Sequence, residues 1–262
     1  MEQEYYTAQE AMKVLKKPSG SFYRDVREGK IPSLGKRPNL RFPREVIDIL
    51  AELNLQEEKH KLTFIHSTIA DSWSKRQINR PYENEDTVPF KTVLEWRKRN
   101  DDITMNVKQG SKILGWVTFL PLDEEIILDL IHGRIREKDI PAQAVKKWNQ
   151  PRLSVYIPVI EVIPSGKPKR DKFIGSYLIK RTIKWAISLT IQHNIKNWYA
   201  VGTTPEGIAL LDAMGFKEMT SLNNGSRKGY ILESTAQPIR LISTLAENMA
   251  PNNSPSLTRQ ST

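Results

Sequence analysis

The longest organised pattern of apolar and polar positions runs from Leu153 to Ile191. LSVYIPVIEVIP is apolar on both alternating sets, with Val155, Ile157 and Val159 on one and Tyr156, Ile160 and Val162 on the other. That is the mark of a strand covered on both faces, and it predicts a central one. Pro158 falls inside the run, and because proline has no N–H for a ladder the pattern predicts a bulge there. SGKPKRDKF, beyond Pro164, cannot form a core. IGSYLIKRTIKWAISLTIQ then places Lys180, Lys184 and Ser188 on one stripe and Leu178, Ile179, Ile183 and Ala186 opposite, predicting a helix that covers the sheet. A basic, glycine-bearing loop entering a helix N-terminus offers free N–H groups and a helix dipole to a pyrophosphate.

The other segments follow by the same reading. Leu62, Ile65, Ile69 and Trp73 stand at helical spacing and predict a connecting helix after an aperiodic hinge, NLQEEKHK. VPFKTVLEWRKRN is a helix whose basic end suits the helix dipole. ITMNVK and KILGWVTFLPL form a hairpin across QGS. EEIILDLIHG is a helix ended by Gly133, and IREKDIPAQAVKKWNQ reads as a polar, solvated crossover. NIKNWYAVGT is the next strand. Thr204-Pro205 opens a helix closed by Gly215-Phe216, and FKEMTSL and KGYILES make a last hairpin. From Pro251 the tail is too polar to bury and is expected to be disordered.

Near the N-terminus, Thr7 and Glu10 have the spacing of a capping box for a helix from Ala8. Lys16-Lys17-Pro18 ends it, Ser19 is read as the cap of a second helix, and Gly29 terminates that helix. IPSLGKRPNLRF reads as a two-stranded wing and PREVIDILAEL as a third helix. The order, carried by TAQEAMKVL, SFYRDVREGKIP and LRFPREVIDIL, resembles the winged helix-turn-helix of MerR-like and excisionase-type DNA-binding domains. Between Lys16 and Arg44 there are nine Lys/Arg against Asp25 and Glu28. The resemblance implies double-stranded DNA as partner, with Ser19, Ser21, Tyr23, Arg24, Arg27, Lys36, Arg37 and Arg41 as contact residues. It also implies a homodimer or higher assembly on repeated half-sites.

Composition narrows the classes. The 262 residues carry a formal net charge of +10, which suits a polyanionic partner. There is no cysteine, so thiolate metal sites, disulfides and a cysteine nucleophile are excluded, and the four histidines show no metal spacing. No apolar run reaches the ~20 residues of a membrane helix, so a soluble cytoplasmic, nucleoid-associated protein is expected.

The segment Arg170-Asp-Lys-Phe-Ile-Gly175 resembles the Arg/Gln-x-x-Gly-x-Gly/Ala loop of GNAT-superfamily N-acetyltransferases. TTPEGIALLDAMGF is similar to that family's second motif, and Gly115-Trp-Val-Thr-Phe-Leu to its glycine and apolar strand. Phe173 stands where the first loop glycine is usual, and Leu211 where a tyrosine acid often sits. The resemblance implies acetyl-CoA as cofactor, held by Val162, Ile163, Arg170, Lys172, Ile174, Gly175 and Ser176, in a slot opened where two strands splay apart. Glu161 is the candidate base, or else a salt-bridged strand glutamate. His193 is a weaker candidate, and Tyr199 or Tyr230 could replace the acid.

The expected fold class is therefore α+β. A winged helix-turn-helix domain (1–53) is followed by a connector (54–80), a mixed-sheet GNAT-like domain (81–236) and a tail (237–262). The expected function is a DNA-binding transcriptional regulator or mobile-element accessory protein. Its second domain would bind acetyl-CoA or a protein partner with little or no catalysis. The alternative is an active N-acetyltransferase targeted to DNA-associated amines.

Overall fold

The computed structural model describes residues 4–35, 38–78 and 87–234. Its elements are β1 (Tyr5–Tyr6), α1 (Ala8–Val14), α2 (Ser19–Arg27), β2 (Phe42–Pro43), α3 (Arg44–His60), β3 (Leu62–His66), α4 (Ile69–Arg76), α5 (Phe90–Arg99), β4 (Thr104–Gln109), β5 (Lys112–Leu122), α6 (Glu124–Ile131), β6 (Leu153–Val162), α7 (Pro168–His193), β7 (Ile195–Gly202), α8 (Pro205–Ala213), β8 (Lys217–Leu222) and β9 (Arg227–Glu233). This is an α+β fold. Its seven-stranded sheet has the order β3-β4-β5-β6-β7-β9-β8 and is mixed, because β6 and β7 are parallel while their outer neighbours pair antiparallel.

β6 is central, as its two apolar sets require. On β5 only Phe119 lies between Thr118 and Leu120, whereas their β6 partners Val159 and Tyr156 enclose both Ile157 and Pro158. That is the bulge expected at Pro158. One face of the sheet carries Val117, Phe119, Val155 and Ile157 against Leu178, Ile183 and Ile187 of α7, with Trp185 stacked 4.3 Å from the Phe119 ring. The other carries Leu120, Leu122, Tyr156 and Tyr199 against Trp96 of α5 and Ile127, Leu130 and Ile131 of α6.

Local signals held at most helix ends. Thr7 and Glu10 form the capping box of α1, and the Thr204 hydroxyl accepts the Gly207 N–H at 3.1 Å at the start of α8. Gly215 has φ +78° and turns the chain so that Phe216 N–H reaches the Leu211 carbonyl at 3.1 Å. Ser19 does not cap α2; Pro18 holds that position and Ser19 is the first helical residue.

Three expectations between residues 31 and 73 are corrected. NLQEEKHK is no hinge, because α3 runs unbroken to His60 and ends at Lys61 with φ 51°. Contacts to α7 hold the helix in place: Glu57, in the added length, accepts from the Tyr177 hydroxyl and pairs with Arg181 at 2.5 Å, and Glu52, before it, pairs with Lys180 at 3.0 Å. The helix expected over 62–73 is a strand followed by a new helix. Leu62 to His66 pair with Gln109 to Met105, and a Thr68–Asp71 capping box restarts the chain as α4. The helical spacing there was coincidental, since Ile65, Ile69 and Trp73 are 43%, 60% and 50% exposed. Among the described residues the expected wing shows one antiparallel bridge, Leu34↔Arg41, because Phe42 and Pro43 pair instead with Tyr6 and Tyr5. Lys36, Arg37 and the tail from 235 lie outside the described residues.

The crossover from 134 to 150 is not simply solvated. Ile140, Ala144, Val145 and Trp148 are buried, and Ile140 accepts the indole N–H of Trp96 at 3.1 Å. The basic end of α5 is likewise more than a dipole partner. Arg97 is buried and donates to the Ser67 carbonyl, to Ser72 and to Asp101, locking α5 to the start of α4. Among the described residues no helix is long and apolar enough to cross a membrane.

Candidate functional site

β6 and β7 are registered from Leu153↔Ile195 to Ile157↔Ala200 and no further. Past the Pro158 bulge β6 stays with β5 alone, while Val201 and Gly202 of β7 continue along β9. A slot therefore opens between Val159–Val162 and Val201–Thr203. Ile163 N–H donates to the Leu114 carbonyl at 2.8 Å, so its peptide edge faces β5. Backbone edges alternate along a strand, which turns the N–H and C=O groups of Val162 and Ile160 toward the slot. Of the two strand residues expected to hold a cofactor, Val162 turns its backbone edge to the slot and Ile163 turns its edge to β5. Ile160, which the sequence reading did not name, shares the slot side with Val162.

Glycine sets how tightly the slot's wall is built. A Cβ on Gly115 would stand 2.6 Å from the Glu161 carbonyl oxygen and 3.3 Å from Val162 Cα, so β5 presses on β6 where only glycine fits. Across the slot, a Cβ on Gly202 would meet Ile208 Cγ1 at 2.8 Å, which lets α8 close on the end of β7.

The head of α7 differs from the expected loop. Helix begins at Pro168, well before Ile174, so Arg170, Lys172, Phe173, Ile174, Gly175 and Ser176 are all helical. The N–H groups of Ile174, Gly175 and Ser176 lie beyond the first turn, where they close intrahelical bonds and are lost as anion donors. Proline at the first helical position and Asp171 explain the early start. The Asp171 carboxylate accepts from Ser165 N–H at 2.9 Å and Ser165 Oγ at 2.5 Å, folding the loop onto the helix. Those Ser165 bonds hold the Asp171 carboxyl below its usual range. Phe173 needs no positive φ in a helix, and its ring packs 4.6 Å from that of His60. Gly175 lies against the strand, a Cβ there being 3.8 Å from Val162 Cγ2. What remains at the slot's mouth is the Gly166–Lys169 turn with Lys167, Lys169, Arg170 and Lys172 around it. Lys167 and Lys169 carry first-turn N–H groups, whereas Arg170 N–H already meets the Lys167 carbonyl at 2.9 Å.

Glu161 lies across from Trp116, in a row Ile65–Asn106–Trp116–Glu161 that crosses four strands. Val162 faces α7, so Glu161 belongs to the opposite face, under α4. That face is polar here. Lys75 of α4, buried, donates to Asn106 Oδ1 at 3.0 Å and Ser67 Oγ at 3.2 Å and stands 5.2 Å from the Trp116 ring centre, while Thr104 and Thr118 hydroxyls meet at 3.0 Å. The ion pair Lys108–Asp71, 2.8 Å, closes one end. Sequence reading missed this layer, because each of its residues looks like an ordinary strand or helix polar residue until the sheet aligns them.

The remaining candidates fall elsewhere. His193 ends α7 against Trp148, where burial lowers its pKa rather than the helix dipole raising it. Tyr199 donates to Glu124 at 2.7 Å, with burial first and Glu124 second raising its pKa to about 12. Tyr230 is fully buried and its pKa is also raised, by burial first. Leu211 is buried in the core, so no acid stands at that position. Among the described residues no group of three or more His, Asp or Glu could hold a metal ion.

At the N-terminal end, α1 and α2 are joined by a short turn and cross over Phe22, Ala11 and Leu15. Arg24, Arg27, Ser19 and Arg41 are exposed, and Ser21 and Tyr23 half-buried, Ser21 donating to the Pro18 carbonyl at 3.0 Å.

Neither family models nor curated proteins match the chain. Solved structures do show likeness. Ard1 from Thermoplasma volcanium aligns over 66% of this chain and 97% of its own at 13% identity and a TM-score of 0.43. The ribosomal-protein-S18-alanine N-acetyltransferase from Escherichia coli aligns over 65% and 90% at 14% identity, TM-score 0.41. Arabidopsis thaliana Naa50, solved with the bisubstrate analogue CoA-Ac-MVNAL, aligns over 66% and 98% at 14% identity, TM-score 0.40.

Proposed function

We propose that the chain is an acetyl-CoA-dependent N-acetyltransferase of GNAT type. One observation carries the reading: the parallel pair β6/β7 parts at the Pro158 bulge and leaves the backbone edges of Ile160 and Val162 facing an open slot. An extended amide chain such as pantetheine can bond those edges as a further strand would. The group supplies an activated acetyl thioester when bound. The Gly166–Lys169 turn, with Lys167, Lys169, Arg170 and Lys172, faces the slot's mouth and suits its phosphates. Glu161 sits on the adjoining strand face, where it would take the proton of an acceptor amine entering under α4. This revises the expectation of a non-catalytic module, because Phe173 costs the helical head nothing.

A melting experiment tests binding. A ligand held only by the folded chain raises stability by about 2.7 kcal/mol at a hundredfold excess over Kd. Acetyl-CoA is expected to raise the melting temperature, and Glu161→Gln to keep that shift while losing thiol release with amine acceptors. No shift at millimolar acetyl-CoA would end the proposal. A shift without thiol release from any amine would return the domain to a binding role.

A second reading rests on a different observation, the α1–turn–α2 pair with Arg24, Arg27 and Arg41 exposed around it. We propose that this surface contacts duplex DNA, as a dimer on paired half-sites. Arg27→Glu in the full chain is expected to weaken duplex binding and flatten its salt dependence, since each lost phosphate contact releases fewer counterions. An electrophoretic shift identical for both proteins would sink it.

A further inference from the structure

Between the α1–α2 pair, α3 and α7 lies a cavity of about 310 Å³ lined by Leu15, Lys17, Arg24, Asp25, Lys30, Ile31, Leu50, Asn54 and Lys184. Four of these side chains are cationic and one is anionic. Asp25, buried, is already matched by Lys17 at 2.7 Å, and Lys30 by Glu28 at 2.6 Å. Arg24 and Lys184 have no ion-pair partner among the described residues. Lys184 comes from the middle of α7, and the nearby charges are Arg181, Glu57, Lys17 and Asp25. Glu57 is itself paired with Arg181 at 2.5 Å. Burial first, then Arg181, brings the Lys184 amine down to about 8. The cavity thus gathers cations from three separate elements at the junction of the basic N-terminal unit and the sheet, with more positive charge than its own carboxylate neutralises. Lys184, largely desolvated and without a carboxylate of its own, is costly until an anion joins it, while Arg24 and Lys30 reach the cavity from its exposed side, and the volume is at the small-ligand end of known binding sites.

We propose that this cavity binds a small phosphate-bearing anion, with Lys184, Arg24 and Lys30 as donors and Leu15, Ile31 and Leu50 as its apolar floor. A free anion is favoured over a nucleic-acid backbone because Lys184 and Leu50 belong to the inner faces of α7 and α3, where a duplex does not reach. Occupancy would tie α2 to α7 and so fix the orientation of the exposed arginines of α2.

Inorganic pyrophosphate is the probe. Added to the full chain, it is expected to raise the melting temperature in the presence of saturating acetyl-CoA as well as without it. Lys184→Met should weaken its binding by about tenfold or more, the worth of a charge-assisted hydrogen bond. Lys184→Arg should retain it, and Lys30→Ala, a change at an exposed side chain, should weaken it without touching the core. Duplex DNA binding should be the same for Lys184→Met and the parent. A pyrophosphate shift that survives both Lys184→Met and Lys30→Ala, or that acetyl-CoA abolishes, would overturn the proposal. So would the absence of a pyrophosphate shift in the parent, and if Lys184→Met then also lost duplex affinity the cavity would belong to a nucleic-acid surface.

Discussion

At the scale of single residues, two glycines near the slot do opposite work. Gly115 is pinned between backbones, and a valine there must push β6 away. Gly115→Val is expected to cost about 1–3 kcal/mol in urea unfolding, in the range of overpacked cores. Gly175 sits in a helix with the nearest strand atom at ordinary contact distance. Gly175→Ala should therefore be neutral or stabilising by up to about 1 kcal/mol, because alanine restricts the unfolded chain and favours helix. A loss of stability there would mean that the residue needs loop-like freedom after all. Lys184 gives a pH signature. Burial brings its folded pKa to about 8, below the 10.5 of an ordinary lysine. Below pH 8 both folded and unfolded chains hold the proton and the folded one carries the full cost of the buried cation. Between about 8 and 10.5 the unfolded chain holds more protons, so stability rises with pH. Lys184→Met should remove that alkaline rise in unfolding curves taken across the window.

At the scale of elements, α3 is held by α7 as much as by its own propensity. Arg181 is buried and its Nη2 stands 2.5 Å from Glu57 Oε1, without hydrogen-bond geometry. The same carboxylate accepts the Tyr177 hydroxyl, whose pKa burial first and Glu57 second push upward. Glu57→Ala strands the Arg181 cation and is expected to cost about 2–4 kcal/mol. Glu57→Ala with Arg181→Met should recover most of that loss in a double-mutant cycle. Additive costs would show that the two residues do not act on each other. The polar stripe that the sequence places at Lys180, Lys184 and Ser188 is accordingly met at Lys180 and Lys184 by α3 in the fold. A helix wheel records polarity, and it cannot record that a second polar helix arrives to match it.

For the whole molecule, the N-terminal unit and the sheet share one hydrophobic cluster, running from Ala11, Phe22 and Leu53 to Tyr177, Leu178 and Ile187. The six tryptophans all lie at or after Trp73 and report on one end, and the backbone amides of α1 and α2 report on the other. Tryptophan fluorescence and hydrogen exchange of the α1 and α2 amides should therefore follow one transition in the full chain. A fragment of residues 1–53, which cuts α3 after buried Leu53, should show no cooperative transition. Two separate melts would restore an independent first domain.

What the sequence determined by itself were elements with strong local codes: the two-sided apolar run of β6 with its proline bulge, the Thr7, Thr204 and Gly215 helix ends, and both hairpins of the sheet. Short-range sterics and hydrogen bonding decide these, and they need no partner. Tertiary structure alone decided the rest. It extended α3 to His60, drew Leu62–His66 into an edge strand, and aligned Asn106, Trp116 and Glu161 beneath Lys75. Each depends on a group remote in sequence that supplies the missing charge or ladder, and no periodicity within a segment carries that information. The helix at Arg170–Gly175 is the exception, since Pro168 and the Ser165–Asp171 bonds that start it are local.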